Sequence, residues 1–274
     1  MRRSVLALIL LALASVSAFA VDGVVLLNQS TATAGLGGCD TPGFPITICN
    51  PGSYKLSGNL TVADANTTAI VIASDDVTID LNGFSIRGPL SCVRATYPVQ
   101  CSGTGTGSGI TFSSKFVTTD NTTILNGTIQ GMGQDGINLN SFGARIEGVH
   151  AESNGRVGIL ITDGVVTHCT SVVNALHGIS TGSESVISFN RAVYNGGNGI
   201  NGGGTVSNNS VSFNGQDGIF NVSDAAYNTA IFNIGHGISA ASGIIGNVLR
   251  SNGLGNVDSS VNMGHNVCDG ALCP

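Results

Sequence analysis

The dipeptide Gly-Ile returns along this chain at a nearly fixed interval, at residues 109–110, 136–137, 158–159, 178–179, 199–200, 218–219 and 237–238. Successive isoleucines are 27, 22, 20, 21, 19 and 19 residues apart. An asparagine stands five residues before most of them, at Asn154, Asn174, Asn195, Asn214 and Asn233, and Asn252 continues the series ahead of Val257. Repetition at a fixed period of this size is the mark of a solenoid, in which each unit buries its apolar face only against its neighbours. About 20 residues is too short for a strand–helix–strand unit, which needs about 30. The apolar residues alternate with period two and trace no helical stripe.

Aligning the repeats on their asparagines gives two further apolar columns. Val166, Ile187, Val206, Ala225 and Ile244 lie eight residues before the turn asparagine; Ala192, Val211, Ala230 and Leu249 lie three before it. Each repeat therefore reads as three short strands joined by turns. Successive coils stack strand on strand, parallel, at about 4.8 Å, and parallel crossovers are right-handed. Asn174, Asn195, Asn214, Asn233 and Asn252 read as a structural ladder: asparagine accepts left-handed backbone, and stacked amides can bond one another. Tyr194, Phe213 and Phe232 form an adjoining aromatic column, which stacks along the axis or, if it points outward, offers a platform for sugars.

With Asn-x-x-x-Gly-Ile and the segment Asp76-Val-Thr-Ile-Asp-Leu-Asn-Gly-Phe84, the chain resembles the right-handed parallel β-helix repeat proteins of the pectate-lyase-like superfamily, close to exported bacterial members of unassigned function. The resemblance implies an all-β fold, a single-stranded right-handed parallel β-helix with three short strands per coil and disulfide-stapled caps. It transfers no activity, because one scaffold serves many chemistries.

The expected organisation is a signal peptide over 1–20, an N-terminal cap over 21–52, the β-helix over 53–257 with an inserted loop at 88–108, and a C-terminal cap over 258–274. Arg2 and Arg3, the apolar run from Val5 to Leu13 and Ala18-Phe19-Ala20 carry the signal-peptide reading, with cleavage before Val21. No internal run approaches the ~18 apolar residues of a spanning helix. An exported chain with 16 acidic residues and few basic ones has no electrostatic reason to bind nucleic acid or an anionic membrane. Seven cysteines in such a chain suggest disulfides. The short-range pairs are Cys39 with Cys49, Cys92 with Cys101, and Cys268 with Cys273. Cys169 is left as a buried thiol in the column of Asn190, Asn209, Asn228 and Asn247.

Candidate function sits in two places. The 88–108 loop carries Arg94 and Tyr97, and loops held by a rigid scaffold are where ligands bind. The residue before each Gly-Ile forms a column that includes Asp135, Val157, His177, Asn198, Asp217 and His236. Asn198, Asp217 and His236 are ligand-binding candidates, and Asp217 and His236 the weak catalytic ones. The stretch resembles part of the polygalacturonase active site, whose coils carry Asn-Thr-Asp, Asp-Asp and Gly-His-Gly in turn. Here Gly235-His236-Gly237 and Asp217 match, but Gln216 stands at the position of the general acid and Asn198 at that of another carboxylate. Inverting hydrolysis needs a carboxylic acid to protonate the leaving group, and glutamine cannot supply that proton. No zinc-ligand spacing, phosphate loop or calcium repeat is present, so no metal or cofactor is expected. The favoured reading is a noncatalytic surface binding glycan or a surface protein outside the cytoplasm, in the periplasm, on the cell surface or beyond it. The alternatives are a polysaccharide-active lyase, hydrolase or epimerase, and a structural cell-surface component.

Overall fold

The computed structural model describes residues 23–94, 99–113, 120–239 and 241–274. The chain winds into a right-handed parallel β-solenoid of about 10 turns. The signal-peptide segment and Tyr97 lie outside the described residues.

Three ladders run the length of the molecule. The first holds the Gly-Ile strands, from Ile46–Ile48 and Ile70–Ile72 through Ile137–Leu139 and Ile159–Ile161 to His236–Ser239 and Gly255–Asp258. Its register places Ile70, Ile110, Ile137, Ile159, Ile179, Ile200, Ile219 and Ile238 in one column, each fully buried. The second ladder opens with Val24–Leu27 and Gly52–Leu56 and its later strands are Val186–Ser188, Thr205–Ser207, Asp224–Ala226 and Gly243–Ile245. The third includes Ser85–Arg87, Thr170–Val172, Arg191–Val193, Ser210–Ser212, Thr229–Ile231 and Val248–Arg250. In two coils the second and third strands fuse across their corner into single strands, Thr123–Gln130 and Ala144–Glu152. The single helix among the described residues is Gln29–Ala34.

The asparagines form two ladders. At the corner before the Gly-Ile strands, each backbone N–H and each side-chain amide donates to the Oδ1 of the next coil's asparagine. The series runs Asn154, Asn174, Asn195, Asn214, Asn233, Asn252, at 2.9–3.1 Å. The same pattern joins Asn190, Asn209, Asn228, Asn247 and Asn266 at the preceding corner, and Cys169 donates its N–H into that series. The asparagines do not themselves supply the left-handed backbone expected of them. That conformation falls on the residue before: Val173, Tyr194, Phe213 and Phe232 have φ of 55°, 56°, 54° and 56°. The asparagine is needed for its amide, and the bonds it makes hold its bulky neighbour in a region that L-residues avoid.

The same ladder explains the glycine of Gly-Ile. A Cβ on Gly178 would lie 2.7 Å from the Asn195 amide nitrogen and 2.6 Å from the carbonyl oxygen of Gly199; Gly218 meets Asn233 and Gly237 at the same two distances. The next coil's asparagine fills the space a side chain would need. Isoleucine then turns inward, and the pair recurs wherever the asparagine does.

Sulfur pairs join Cys39 to Cys49, Cys92 to Cys101 and Cys268 to Cys273, while Cys169 is free and buried. The loop leaving the third ladder after Arg87 contains a hairpin, Cys92–Val93 paired antiparallel with Gln100–Cys101. It straps the side of the solenoid. Leu90 and Val99 are buried, as are Val157, Val173 and Val193, yet none of the five belongs to the central core. Leu90 and Val99 come within reach of Gly155 and Gly196, where no side chain obstructs them.

Candidate functional site

The column before Gly-Ile behaves as a series of backbone acceptors. Asp135 Oδ1 accepts the N–H of Val157, His177 Nδ1 that of Asn198, Asn198 Oδ1 that of Asp217, and Asp217 Oδ1 that of His236, at 3.0, 3.0, 2.9 and 2.6 Å. Each acceptor serves the turn of the coil after it. The structure thus brings Asn198, Asp217 and His236 together on consecutive coils, with His236 Nδ1 3.3 Å from Asp217 Oδ1. The carboxylate oxygen facing the imidazole is the one that holds the backbone. Gln216, at the position matching the general acid, is exposed.

His177 shows the electrostatic side of this arrangement. Because Nδ1 accepts a hydrogen bond, the proton of the neutral ring resides on Nε2. Burial, aided by the nearby Arg156 guanidinium, pushes its pKa below the ordinary histidine value.

Sequence reading noted Asp135 in this column but missed its partner. Asp135 is fully buried, and its carboxylate accepts from Arg156 Nε at 2.9 Å, Arg156 Nη2 at 2.6 Å, the Val157 N–H at 3.0 Å and Asn138 Nδ2 at 2.7 Å. Four donors use both oxygens, so this carboxylate is a clamp between coils and has no lone pair to offer a substrate. The legible signal was Arg156 one coil after an acid in the same turn.

Arg94 projects from the strap and sets its guanidinium over the Tyr194 ring, 5.2 Å from the centroid. Tyr194, Phe213 and Phe232 continue the column with centroids 5.0 and 5.2 Å apart and planes within 14° and 17°. Ring faces are therefore turned on one another along the axis, and the column presents edges outward. Phe232, followed in its column by Ser251, is the most exposed of the three, at 45%. Beside it opens a groove of about 430 Å³ lined by Asn198, Gln216, Asp217, Phe220, Ile234 and Leu254 with two glycines. Ile234 and Leu254 are large apolar side chains left at the surface. Among the described residues no group of three or more His, Cys, Asp or Glu side chains is placed to hold a metal ion.

Solved structures with this architecture include enzymes that act on alginate. The A-module of the Azotobacter vinelandii mannuronan C-5 epimerase AlgE4 aligns with a TM-score of 0.54 at 16% identity, over 76% of this chain and 72% of that one. A double mutant of the periplasmic alginate epimerase AlgG aligns with a TM-score of 0.56 at 15% identity, over 90% and 84%. At such identities the likeness is one of fold. No family model matches the chain, and no curated protein matches it. No helix among the described residues is long and apolar enough to cross a membrane.

Proposed function

We propose that this is an exported β-helix protein whose lateral groove binds a polysaccharide without turning it over. The observation that carries the reading is the Asp217 bond to the His236 N–H. The only paired acid and histidine beside the groove repeat a turn-holding bond that Asp135, His177 and Asn198 make elsewhere, so their placement is explained by the coil. What remains is an amphipathic groove. Phe220, Ile234 and Leu254 suit the C–H faces of sugar rings, and the exposed Gln216 amide suits hydroxyls. The disulfides support an oxidising, extracytoplasmic setting, and alginate epimerases among the similar folds support the polysaccharide class.

The test is equilibrium binding to a panel of neutral and acidic polysaccharides, run beside assays for reducing ends, for unsaturated uronate absorbance and for exchange of sugar ring C–H protons in D2O. Binding without turnover is expected. An Ile234→Asn, Leu254→Asp double variant should weaken it about tenfold or more, while Asp217→Asn, which keeps the acceptor for His236, should bind as the parent does. Turnover that vanishes in Asp217→Asn would sink this reading in favour of a carbohydrate-active enzyme.

A further inference from the structure

The N-terminal end of the solenoid is built unlike the rest of the surface. Val24–Leu27 pairs with Gly52–Leu56 on one side and, among the described residues, has no strand on the other. An open edge offers unpaired N–H and C=O groups, which natural proteins guard with lysine, proline or a bulge. None of these guards is present in Val24-Val25-Leu26-Leu27. Val24, Val25 and Leu26 are 37%, 42% and 56% exposed, and Val25 occupies the position that faces the core one strand later, where Tyr54 is buried. A cleft of about 780 Å³ runs beside the strand, lined by Val24, Val25, Leu26, Ala34 and Leu36 among others.

Charge indicates what fits there. Between Gly23 and Tyr54 the one ionisable acid or base of the Asp, Glu, Lys and Arg types is Asp40. Asp40 is buried and accepts the N–H groups of Leu36 and Thr47 at 2.7 and 2.8 Å. The whole chain carries a formal charge of −6, so most contacts between two copies would set acidic surfaces together. At this end two copies can meet without setting any acid or base of residues 23–54 against its own kind, whereas the opposite end carries Asp258 and Asp269.

We infer that two copies of the chain associate head to head through Val24–Leu27, the two edge strands pairing antiparallel about a two-fold axis normal to the sheet. An axis in that direction keeps the inward faces of both strands on one side. It joins the two apolar cores through Val25 and closes both clefts at once. Such an interface is isologous and self-limiting, so it yields a dimer and no filament.

The experiment is sedimentation equilibrium or light scattering on the exported protein. A mass of two chains is expected. Leu26→Lys and, separately, Val24→Lys place a charge on an already exposed position of the edge and should give monomers with an unchanged β circular-dichroism spectrum. Leu272→Lys, at the far end, should leave the dimer intact. A parent protein that is monomeric overturns the inference. A dimer that survives both edge substitutions, or that Leu272→Lys disperses, does so as well, the last outcome pointing to tail-to-tail contact.

Discussion

At the residue scale, one rule accounts for most of the repeat. An asparagine amide bridges to the next coil, the residue before it bends into left-handed backbone, and the glycine four residues on leaves room for the following coil's amide. The spacing was plain in the sequence, but the division of labour was not, because stacking geometry decides which of two adjacent residues takes the strained φ. Asn214 sits mid-ladder. It donates to Asn233 Oδ1 and the Ala192 carbonyl, and accepts from the N–H and the amide of Asn195. Asn214→Ala would leave buried partners unpaired and should lower unfolding free energy in urea by about 3 kcal/mol or more. Cys169 tests the rule in the other direction. Its thiol occupies an asparagine position, and burial pushes its pKa up to about 12. It should resist thiol reagents in the native state. Cys169→Asn should extend the ladder by one rung, reaching the Ile146 carbonyl that the sulfur now faces at 3.7 Å. The expected gain is about 1 kcal/mol, read in the same titration.

At the scale of elements, the strap shows where sequence reading reaches its limit. Residues 88–108 were recognisable as an insertion because they break the period and carry their own cysteine pair. Where they dock was not recognisable, since that depends on Val173 and Val193, which sit at outward positions of their coils and look like ordinary strand residues. Both are buried although neither belongs to the central core, and the strap's Val99 approaches Gly196, close after Val193 in the chain. In the next three coils the Val173 column turns aromatic, as Tyr194, Phe213 and Phe232, and it is met by Arg94 at Tyr194 and by solvent at Phe232. Val99→Asp should lift the strap without disturbing the core. Hydrogen exchange should then rise at Val173 and Val193 while Ile179 and Ile200 keep their protection. Equal loss everywhere would mean that the strap is part of the cooperative core. The candidate site was half legible in the same sense. The Asp217–His236 juxtaposition follows from the register, but its use as a backbone acceptor emerges only when Asp135, His177 and Asn198 are seen to do likewise. Arg156 was missed because it lies in the neighbouring column. Removing it would strand a buried carboxylate, and Arg156→Ala should cost about 3–5 kcal/mol.

For the whole molecule, a solenoid is close to one-dimensional, so a defect in one coil weakens both flanks. His177 places a titrating group in the middle of this array. Its folded-state pKa is below the ordinary value of 6.5, so the unfolded chain binds its proton more readily than the folded one. Stability from the neutral ring is therefore complete above pH 6.5 and is lost as pH falls from there through the depressed folded value. Protonating Nδ1 also removes the acceptor of the Asn198 N–H, which opens the turn leading to Asp217 and the groove. Asp64 and Asp80 have pKa values lowered in the folded state, so their contributions fade only in the carboxylate range, well below the histidine window. Two separate acid steps are expected in the urea midpoint as a function of pH. His177→Asn puts at this position the same amide oxygen that Asn198 uses one coil later, and it cannot titrate. That variant should keep the lower step and lose the upper one. An upper step that persists would assign it to another group and remove His177 from the account of acid stability.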